Sequence, residues 1–230
     1  MDVSPAPSQF PARALPGLIQ GLAGLAWALP LGVVVCVQTA RQIGFWSLGL
    51  WPAVAVTGWL YLCTLRLPSS FNPGSSWDSS LRRSRSLALL LWGLSPFLYW
   101  HARLPDHPWF TLMTGTAGLA GWWLLIEVNR FLPAAAASFE DPRLIHEIRG
   151  LCHLNRVIFL LGGLVWLTAR VLEQADSLPA PAERYGLLLR RLEAPLWMFF
   201  LVAPLALTLT CLWKTREAAW RELLRRAGLQ

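Results

Sequence analysis

The sequence predicts an all-α membrane protein: a polytopic membrane helix bundle of about six transmembrane helices in three hairpins, with short amphipathic interfacial helices. Hydrophobic residues make up 55% of the 230 residues. Charged residues make up only 14%, whereas a soluble domain carries about a quarter. The apolar residues also fall into separate blocks that are long enough to cross a bilayer. These three observations favour one membrane bundle over one or two soluble domains.

The charge and the cysteines exclude two other classes of protein. The net charge is +7, but the basic residues lie between the apolar blocks, where they act as signals of membrane orientation. A nucleic-acid partner is therefore not expected, because that would need a basic patch on a soluble surface. The four cysteines lie in or beside apolar blocks and form no CxxC pair, so we expect buried small residues and no disulfide framework.

The chain begins with a Pro-rich polar tail, residues 1–14, which we expect to be disordered. The first span covers about residues 15–40 and contains Pro30, which a membrane helix tolerates as a kink. The second span covers about residues 45–65. Because the link between the two is so short, these helices should be antiparallel neighbours.

Residues 66–86 are rich in Ser, Pro and Gly and end in Arg82, Arg83 and Arg85. We interpret this segment as a flexible loop that closes on a basic clamp at the membrane surface. Arginines just outside a span attract anionic lipid headgroups, with about 1 kcal/mol for each residue. The alternative is that these arginines only set the topology of the chain, and the sequence favours this simpler role.

The third span covers about residues 87–101, and the fourth, residues 110–132, is the expected hub of the bundle. The fourth span carries Thr114, Ala117, Gly118 and Gly121 on one helical face. A stripe of small residues allows a neighbouring helix to approach closely, which is how helices join in lipid. We therefore predict that these four residues form a helix-packing face.

The last third of the chain predicts two more spans and two surface helices. An amphipathic helix is expected over about residues 142–150, with Gly150 as a hinge, followed by spans over about 154–172 and 195–213. Residues 184–193 have the pattern of a short interfacial helix. The tail, residues 214–230, predicts a basic amphipathic helix at a membrane surface. Its predicted apolar face is Trp220, Leu223, Leu224 and Ala227, and its predicted contacts with anionic lipid are Arg221, Arg225 and Arg226.

The distribution of basic residues predicts that both termini are cytoplasmic. With that orientation, the inner links and the two tails hold more than twice as many Lys and Arg residues as the outer links. Tryptophan gives a second argument, because Trp46, Trp100, Trp109 and Trp197 then lie near the outer interface and Trp213 near the inner one. We expect a multi-pass protein of the cell's inner or plasma membrane.

Catalytic motifs are absent from the sequence: there is no GxxxxGK and no GxSxG. The richest set of polar residues lies at the cytoplasmic ends of the fourth and fifth spans. It comprises Glu127, Asn129, Arg130, His146, Glu147, His153, Asn155 and Arg156. We favour an ion-pair network that fixes the helix register, with Glu127 bonded to Arg156, over a catalytic or ligand site. Metal binding by His146, Cys152 and His153, and haem binding by His101 and His153, are weak alternatives, so we expect neither a metal nor a cofactor.

These observations favour a non-enzymatic scaffold or an accessory subunit of a membrane assembly. Its partners would be the lipid bilayer, anionic lipid headgroups, and another membrane protein or a second copy of the chain. A small transporter or lipid-handling carrier is the alternative, because proline interrupts the first, third and sixth spans. Thr57, Ser95 or Thr208 would then line a cavity. A membrane enzyme comes third, since it would need the polar residues to converge on one pocket.

Overall fold

A computed structural model describes residues 11–41, 48–69, 76–139, 141–174 and 180–228. The surroundings of the side chains are described for these residues except 12, 76, 166, 167, 169–174 and 180–198. The predicted disordered tail falls mainly outside this part of the chain. So do Trp46 and the side chain of Trp197, which were assigned to the outer interface.

The described chain is helical, with turns between the helices and no strand. A short 3₁₀ helix, Ala12–Ala14, precedes the first α-helix, and another, Ala137–Phe139, follows the fourth. The six α-helices are α1 (Leu15–Arg41), α2 (Trp51–Arg66), α3 (Ser76–Arg103), α4 (Pro108–Ala136), α5 (Pro142–Gln174) and α6 (Ala180–Arg226). Helix α4 begins with Pro108 at its first position, where the missing N–H costs nothing.

Four helical segments of the described chain are long and apolar enough to cross a membrane. They are Leu15–Arg41, Pro108–Phe139, Pro142–Val165 and Phe199–Arg226. They contain the first, fourth, fifth and sixth predicted spans in whole or in large part. Helix α2 has only 16 residues, fewer than the roughly 20 that cross a bilayer, and the first third of α3 carries charged residues.

Three boundaries differ from the sequence prediction. Residues 76–86 are helical, so the predicted loop over 66–86 ends early and its arginines lie on the first turns of α3. Helix α5 continues through Gly150 without a break, which removes the predicted hinge. Helix α6 runs from residue 180 to 226 and absorbs both the predicted interfacial helix and the C-terminal helix. In each case the helix is longer than the apolar block of the predicted span.

Each helix contacts the next along the chain, and α6 packs back against α1. Contacts between helices show which helix ends lie together. Arg85 on α3 bonds the carbonyl of Leu67, which follows α2. Trp77 on α3 packs on Phe131 of α4, and Asn155 on α5 bonds Asn129 of α4. We name this end of the bundle the closed end; α1, α3 and α5 begin there, and α2, α4 and α6 finish there. The opposite end is the open end.

The core lies at the closed end. The largest fully buried side chains all belong to it: Trp77, Phe131, Leu15, Leu18, Leu22, Leu25, Leu67, Leu81, Leu124, Leu132, Ile148 and Leu212. Trp77 and Phe131 meet edge to face, with ring centroids 5.1 Å apart, a preferred aromatic geometry. The indole N–H of Trp77 donates to the carbonyl of Pro68 at 2.9 Å, which satisfies its buried polar atom. The charged start of α3 is thus anchored in the protein core.

Close helix contact occurs at glycines that the sequence prediction did not select. A Cβ added at Gly21 on α1 would lie 2.7 Å from Leu67 and 3.3 Å from the carbonyl of Cys63. At Gly118, by contrast, an added Cβ would meet nothing within 4 Å, and at Gly121 only Leu91 at 3.9 Å. The predicted helix-packing face is therefore wrong at Gly118, which is exposed, although Ala117 is buried. Thr114 is partly buried, and its hydroxyl has no hydrogen-bond partner among the described residues.

Candidate functional site

The most developed polar arrangement in the interior joins three helices through Asn129 on α4, Asn155 on α5 and Thr208 on α6. All three are completely buried. Asn129 Nδ2 donates to Thr208 Oγ1 at 2.8 Å, and Asn155 Nδ2 donates to Asn129 Oδ1 at 3.0 Å and to Thr208 Oγ1 at 3.0 Å. We call these three residues the polar lock.

Backbone carbonyls complete the polar lock. Thr208 Oγ1 donates to the carbonyl of Pro204 at 2.7 Å, and Asn155 Nδ2 lies 3.1 Å from the same oxygen. Asn129 Nδ2 also donates to the carbonyl of Leu125 at 2.8 Å. One acceptor, Asn155 Oδ1, is buried without a hydrogen-bond partner among the described residues. Because the other polar atoms are satisfied by each other, the arrangement holds three helices in one register.

Glu127 is the centre of a second cluster, between α3 and α4. Its side chain is fully buried, and its Oε1 accepts from Arg130 Nη1 at 2.7 Å and from Trp123 Nε1 at 3.2 Å. Arg83 Nη1 lies 3.6 Å from the same oxygen. A buried carboxylate needs such partners to remain in place. Both arginines are far more exposed than Glu127, at 60% for Arg83 and 44% for Arg130, so each can also face the solvent or a headgroup.

The predicted ion pair between Glu127 and Arg156 does not form, although the structure describes both residues. Arg156 is exposed on α5, whereas Glu127 faces α3. The sequence prediction treated all the polar residues as one cluster, but the helices separate them. Asn129 and Asn155 enter the polar lock, Glu127 and Arg130 form the second cluster, and Glu147 bonds Lys214 across α5 and α6.

The histidines of the weak metal alternative are not brought together with other ligands. His146 and His153 are both exposed on α5. The part of the chain that the structure describes holds no group of three or more His, Cys, Asp or Glu residues arranged for a metal ion. Cys152, the third residue of the weak metal hypothesis, points instead to Cys211, with the two sulfur atoms 4.0 Å apart.

The three arginines of the predicted basic clamp have different surroundings. Arg85 Nη2 donates to the carbonyl of Leu67 at 2.7 Å, and its Nε donates to that of Thr64 at 3.2 Å. These carbonyls belong to the last turn of α2, where no intrahelical donor remains, so Arg85 caps that helix. Arg82 and Arg83 are exposed on the same turns of α3.

The C-terminal arginines form pairs along α6. Arg225 and Arg226 both bond Glu222, and Arg221 bonds Glu217. The helix presents Thr215, Ala219 and Glu222 to the core, whereas Trp220 is 50% exposed. Of the predicted apolar face, Trp220 and Ala227 are exposed, as a face toward a membrane surface requires, whereas Leu223 packs against the core.

The residues proposed to line a cavity are bonded within the helices. Thr57 Oγ1 donates to the carbonyl of Ala53 at 2.6 Å, and Ser95 Oγ donates to that of Trp92 at 2.8 Å. Thr208 belongs to the polar lock. Sequence reasoning named each member of the lock but did not join Thr208 to Asn129 and Asn155. The available signal was that all three are polar residues within the fourth, fifth and sixth apolar blocks.

Comparisons with known proteins give no relative that would narrow the function. No protein-family model matches the chain, and neither a curated protein nor a solved structure is significantly similar to it.

Proposed function

We propose that this chain is a non-enzymatic integral membrane protein that acts as a scaffold or an accessory subunit of a membrane assembly. The observation that carries this proposal is the polar lock. Asn129, Asn155 and Thr208 use their polar groups to bond α4, α5 and α6 to one another. Polar side chains that act on a substrate must remain available to it, whereas these are committed to holding helices together.

The proposal includes six spans in three hairpins, with both termini in the cytoplasm. Helices α2 and α3 would cross the membrane together with the four apolar helices, because α2 packs between α1 and α3, and α3 packs on α4. At about 1.5 Å per residue, the 16 residues of α2 reach roughly 24 Å, and local thinning of the bilayer would match that length. The closed end, with its basic helix termini, would face the cytoplasm.

The orientation is tested with reporters fused after Gln230 and inserted after Pro105, in the turn between α3 and α4. We expect cytoplasmic activity from the first and activity on the far side from the second. The turn is exposed and polar, so the insertion disturbs no buried contact. Activity of the C-terminal fusion outside the cytoplasm contradicts the proposed orientation.

Anionic lipid headgroups would contact the closed end through exposed arginines. Arg82 and Arg83 project from the first turns of α3, and Arg130 projects beside Arg83 from α4. Arg85 has a smaller part in this contact because it caps α2. On the C-terminal part of α6, Arg221 and Arg225 are also exposed, although each shares its charge with a glutamate.

A partner is sought by purifying the tagged full chain in mild detergent and identifying by mass spectrometry the proteins, lipids and solutes that remain bound. We expect a membrane protein in a fixed ratio to the chain, absent from a parallel purification of an unrelated tagged membrane protein. A second copy of the chain in a fixed ratio also supports a structural role. Recovery of the chain alone, as a monomer that binds neither protein nor lipid, contradicts the proposal.

A small transporter or lipid-handling carrier is the second candidate. It is favoured by Pro30, Pro96 and Pro204, each of which lies inside a long helix. Proline removes one backbone hydrogen bond and leaves a carbonyl that can line a path. A solute or lipid that co-purifies in a fixed ratio, and that is moved across vesicles by the purified chain, would favour this function over the scaffold.

A further inference from the structure

The contact between α5 and α6 contains two thiols that touch. Cys152 Sγ and Cys211 Sγ are 4.0 Å apart, and both residues are buried, with exposed fractions of 1% and 0%. Both cysteines are free. The cysteines are separated by 59 positions in the chain, so their contact depends on how the two helices are packed and not on their spacing in sequence.

Contacts on both sides fix the register that brings these thiols together. One turn toward the open end, Asn155 bonds Thr208 in the polar lock. On the other side, toward the closed end, Glu147 bonds Lys214. Along two antiparallel helices these pairs are in one continuous register with Cys152 and Cys211. The thiols therefore face each other at the centre of a contact held at two further points, and a shift of one helix would need to break all of them.

We propose that Cys152 and Cys211 are a redox-active pair that forms an intramolecular disulfide, with a membrane-soluble quinone as the two-electron acceptor. The two S–H bonds break and one Sγ–Sγ bond forms. The two protons and two electrons that are lost convert the quinone into the quinol, so atoms and electrons balance. A disulfide bond is about 2.05 Å long, so rotation of the two side chains must bring the sulfurs roughly 2 Å closer.

Both thiols are covered by the protein, so the quinone must reach them at the edge of the α5–α6 contact. Residues one turn away from Cys152 lie on the same side of α5, and two of them, Arg149 and Arg156, are exposed. These two residues mark the edge of the contact from which a quinone would approach the thiols. The other two cysteines lack this arrangement: Cys36 lies on α1 and Cys63 on α2, and neither contacts another thiol within the described chain.

The disulfide would connect α5 covalently to α6 immediately beside the polar lock. Oxidation would then hold in place the register that hydrogen bonds hold in the reduced protein. This redox chemistry is independent of the scaffold function proposed above, since it depends only on the contact between two helices.

The test uses the purified full chain in lipid vesicles, treated with a short-chain benzoquinone and then with a thiol-specific reagent under denaturing conditions. We expect the number of reactive thiols to fall from four to two and the intact mass to fall by about 2 Da, as one disulfide requires. A trypsin digest should yield a linked pair of peptides, residues 150–156 with 192–214. A phosphine reductant should restore four thiols.

Two variants make the assignment specific. Cys152→Ser should retain its three remaining thiols after quinone treatment, whereas Cys63→Ser should lose two of its three. Should either variant fail to fold, the peptide map of the unaltered chain still decides the matter. The proposal is overturned if the unaltered chain keeps four thiols after treatment, if the disulfide joins two molecules, or if the linked peptides contain Cys36 or Cys63.

Discussion

The two ends of the bundle are built differently. At the closed end, buried side chains of α1, α3, α4 and α6 belong to one core together with Trp77 and Phe131, and polar residues bond between helices. Toward the open end, the described helices present large apolar side chains outward. Examples are Trp51 at 71% exposed, Trp109 at 53% and Leu160 at 75%. The closed end is thus held by contacts within the protein, whereas the described open-end surface is suited to lipid or a partner.

This difference shows that hydrophobicity and packing are separate properties of a membrane helix. Helix α4 is apolar over most of its length, but residues 124–136 hold most of its buried side chains, while Leu112 and Leu119 are exposed. Moving an apolar side chain from lipid into the protein interior changes its free energy little. The shape of the helix surface and its hydrogen bonds therefore decide which part of a helix packs against other helices. The same type of substitution should therefore change the free energy of unfolding by different amounts at the two ends.

The largest effect is expected from the polar lock. Asn155→Leu keeps a similar side-chain shape but leaves Asn129 Oδ1 without its donor and removes the bonds to Thr208 and Pro204. We expect a loss of about 2–3 kcal/mol in the free energy of unfolding, since each buried polar group left without a partner costs about 1–3 kcal/mol. The measurement is unfolding by denaturant in detergent micelles.

The matched control lies on the same helix, toward the open end. Thr168 is exposed, and its hydroxyl donates to the carbonyl of Leu164 in its own helix. Thr168→Val should change the free energy of unfolding by no more than about 0.5 kcal/mol. Equal losses for Asn155→Leu and Thr168→Val would contradict the distinction between the two ends.

A second test changes glycine to alanine at both ends. Gly21→Ala places a Cβ 2.7 Å from buried Leu67 and 3.3 Å from a backbone carbonyl, so we expect a loss of about 1–3 kcal/mol from overpacking. Gly118→Ala meets open space and should be neutral, or stabilising by up to about 1 kcal/mol, because alanine favours the helix. Thermal unfolding in detergent measures both. A larger loss for Gly118→Ala would restore the packing face that the sequence predicted.

The contacts of these glycines in the structure also show what sequence patterns can and cannot predict. The apolar blocks predicted the all-helical fold, and the four span-length helices cover the first, fourth, fifth and sixth blocks in whole or in large part, because the length of an apolar block determines whether a helix can cross lipid. The small residues of α4 include buried Ala117 but also Gly118, where no neighbouring helix lies close. A stripe containing Gly118 and Gly121 has the same spacing whether a neighbour covers it or not, and the neighbour is chosen by the whole bundle. On α1, Gly17, Gly21 and Gly24 have an equally regular spacing, and there residues of α2 or directly after it do lie close to each glycine.

The polar residues give a similar result. The sequence placed Glu127, Asn129, Asn155 and Arg156 at one end of the bundle, and helix order alone supports this. It did not distinguish Asn129, which faces α5 and α6, from Glu127, which faces α3. Two positions on a helix differ by about 200° in direction, so neighbours in sequence enter different clusters. Only the packing of α3 shows that Arg83, and not Arg156, lies beside Glu127.

The smallest effect is expected from arginines on the first turns of α3, and it separates stability from lipid contact. Arg85→Gln removes the two bonds that cap α2, and we expect a loss of about 1 kcal/mol in unfolding free energy because the site is only partly buried. Arg82→Gln removes an exposed charge three positions earlier and should leave the unfolding free energy within about 0.5 kcal/mol of the unaltered chain.

The two substitutions should have the reverse order of effect on binding to anionic lipid. Arg82 is free to face a headgroup, so its removal should weaken binding to vesicles that contain phosphatidylglycerol by up to about 1 kcal/mol, or roughly fivefold, and have no effect with phosphatidylcholine alone. Arg85→Gln should change this binding less, because its guanidinium is directed at the carbonyls of Thr64 and Leu67. If Arg85→Gln weakens lipid binding more than Arg82→Gln and leaves stability unchanged, the arginine serves the membrane surface and α2 ends without this cap. The start of α3 would then resemble the lipid-facing open end more than the closed core.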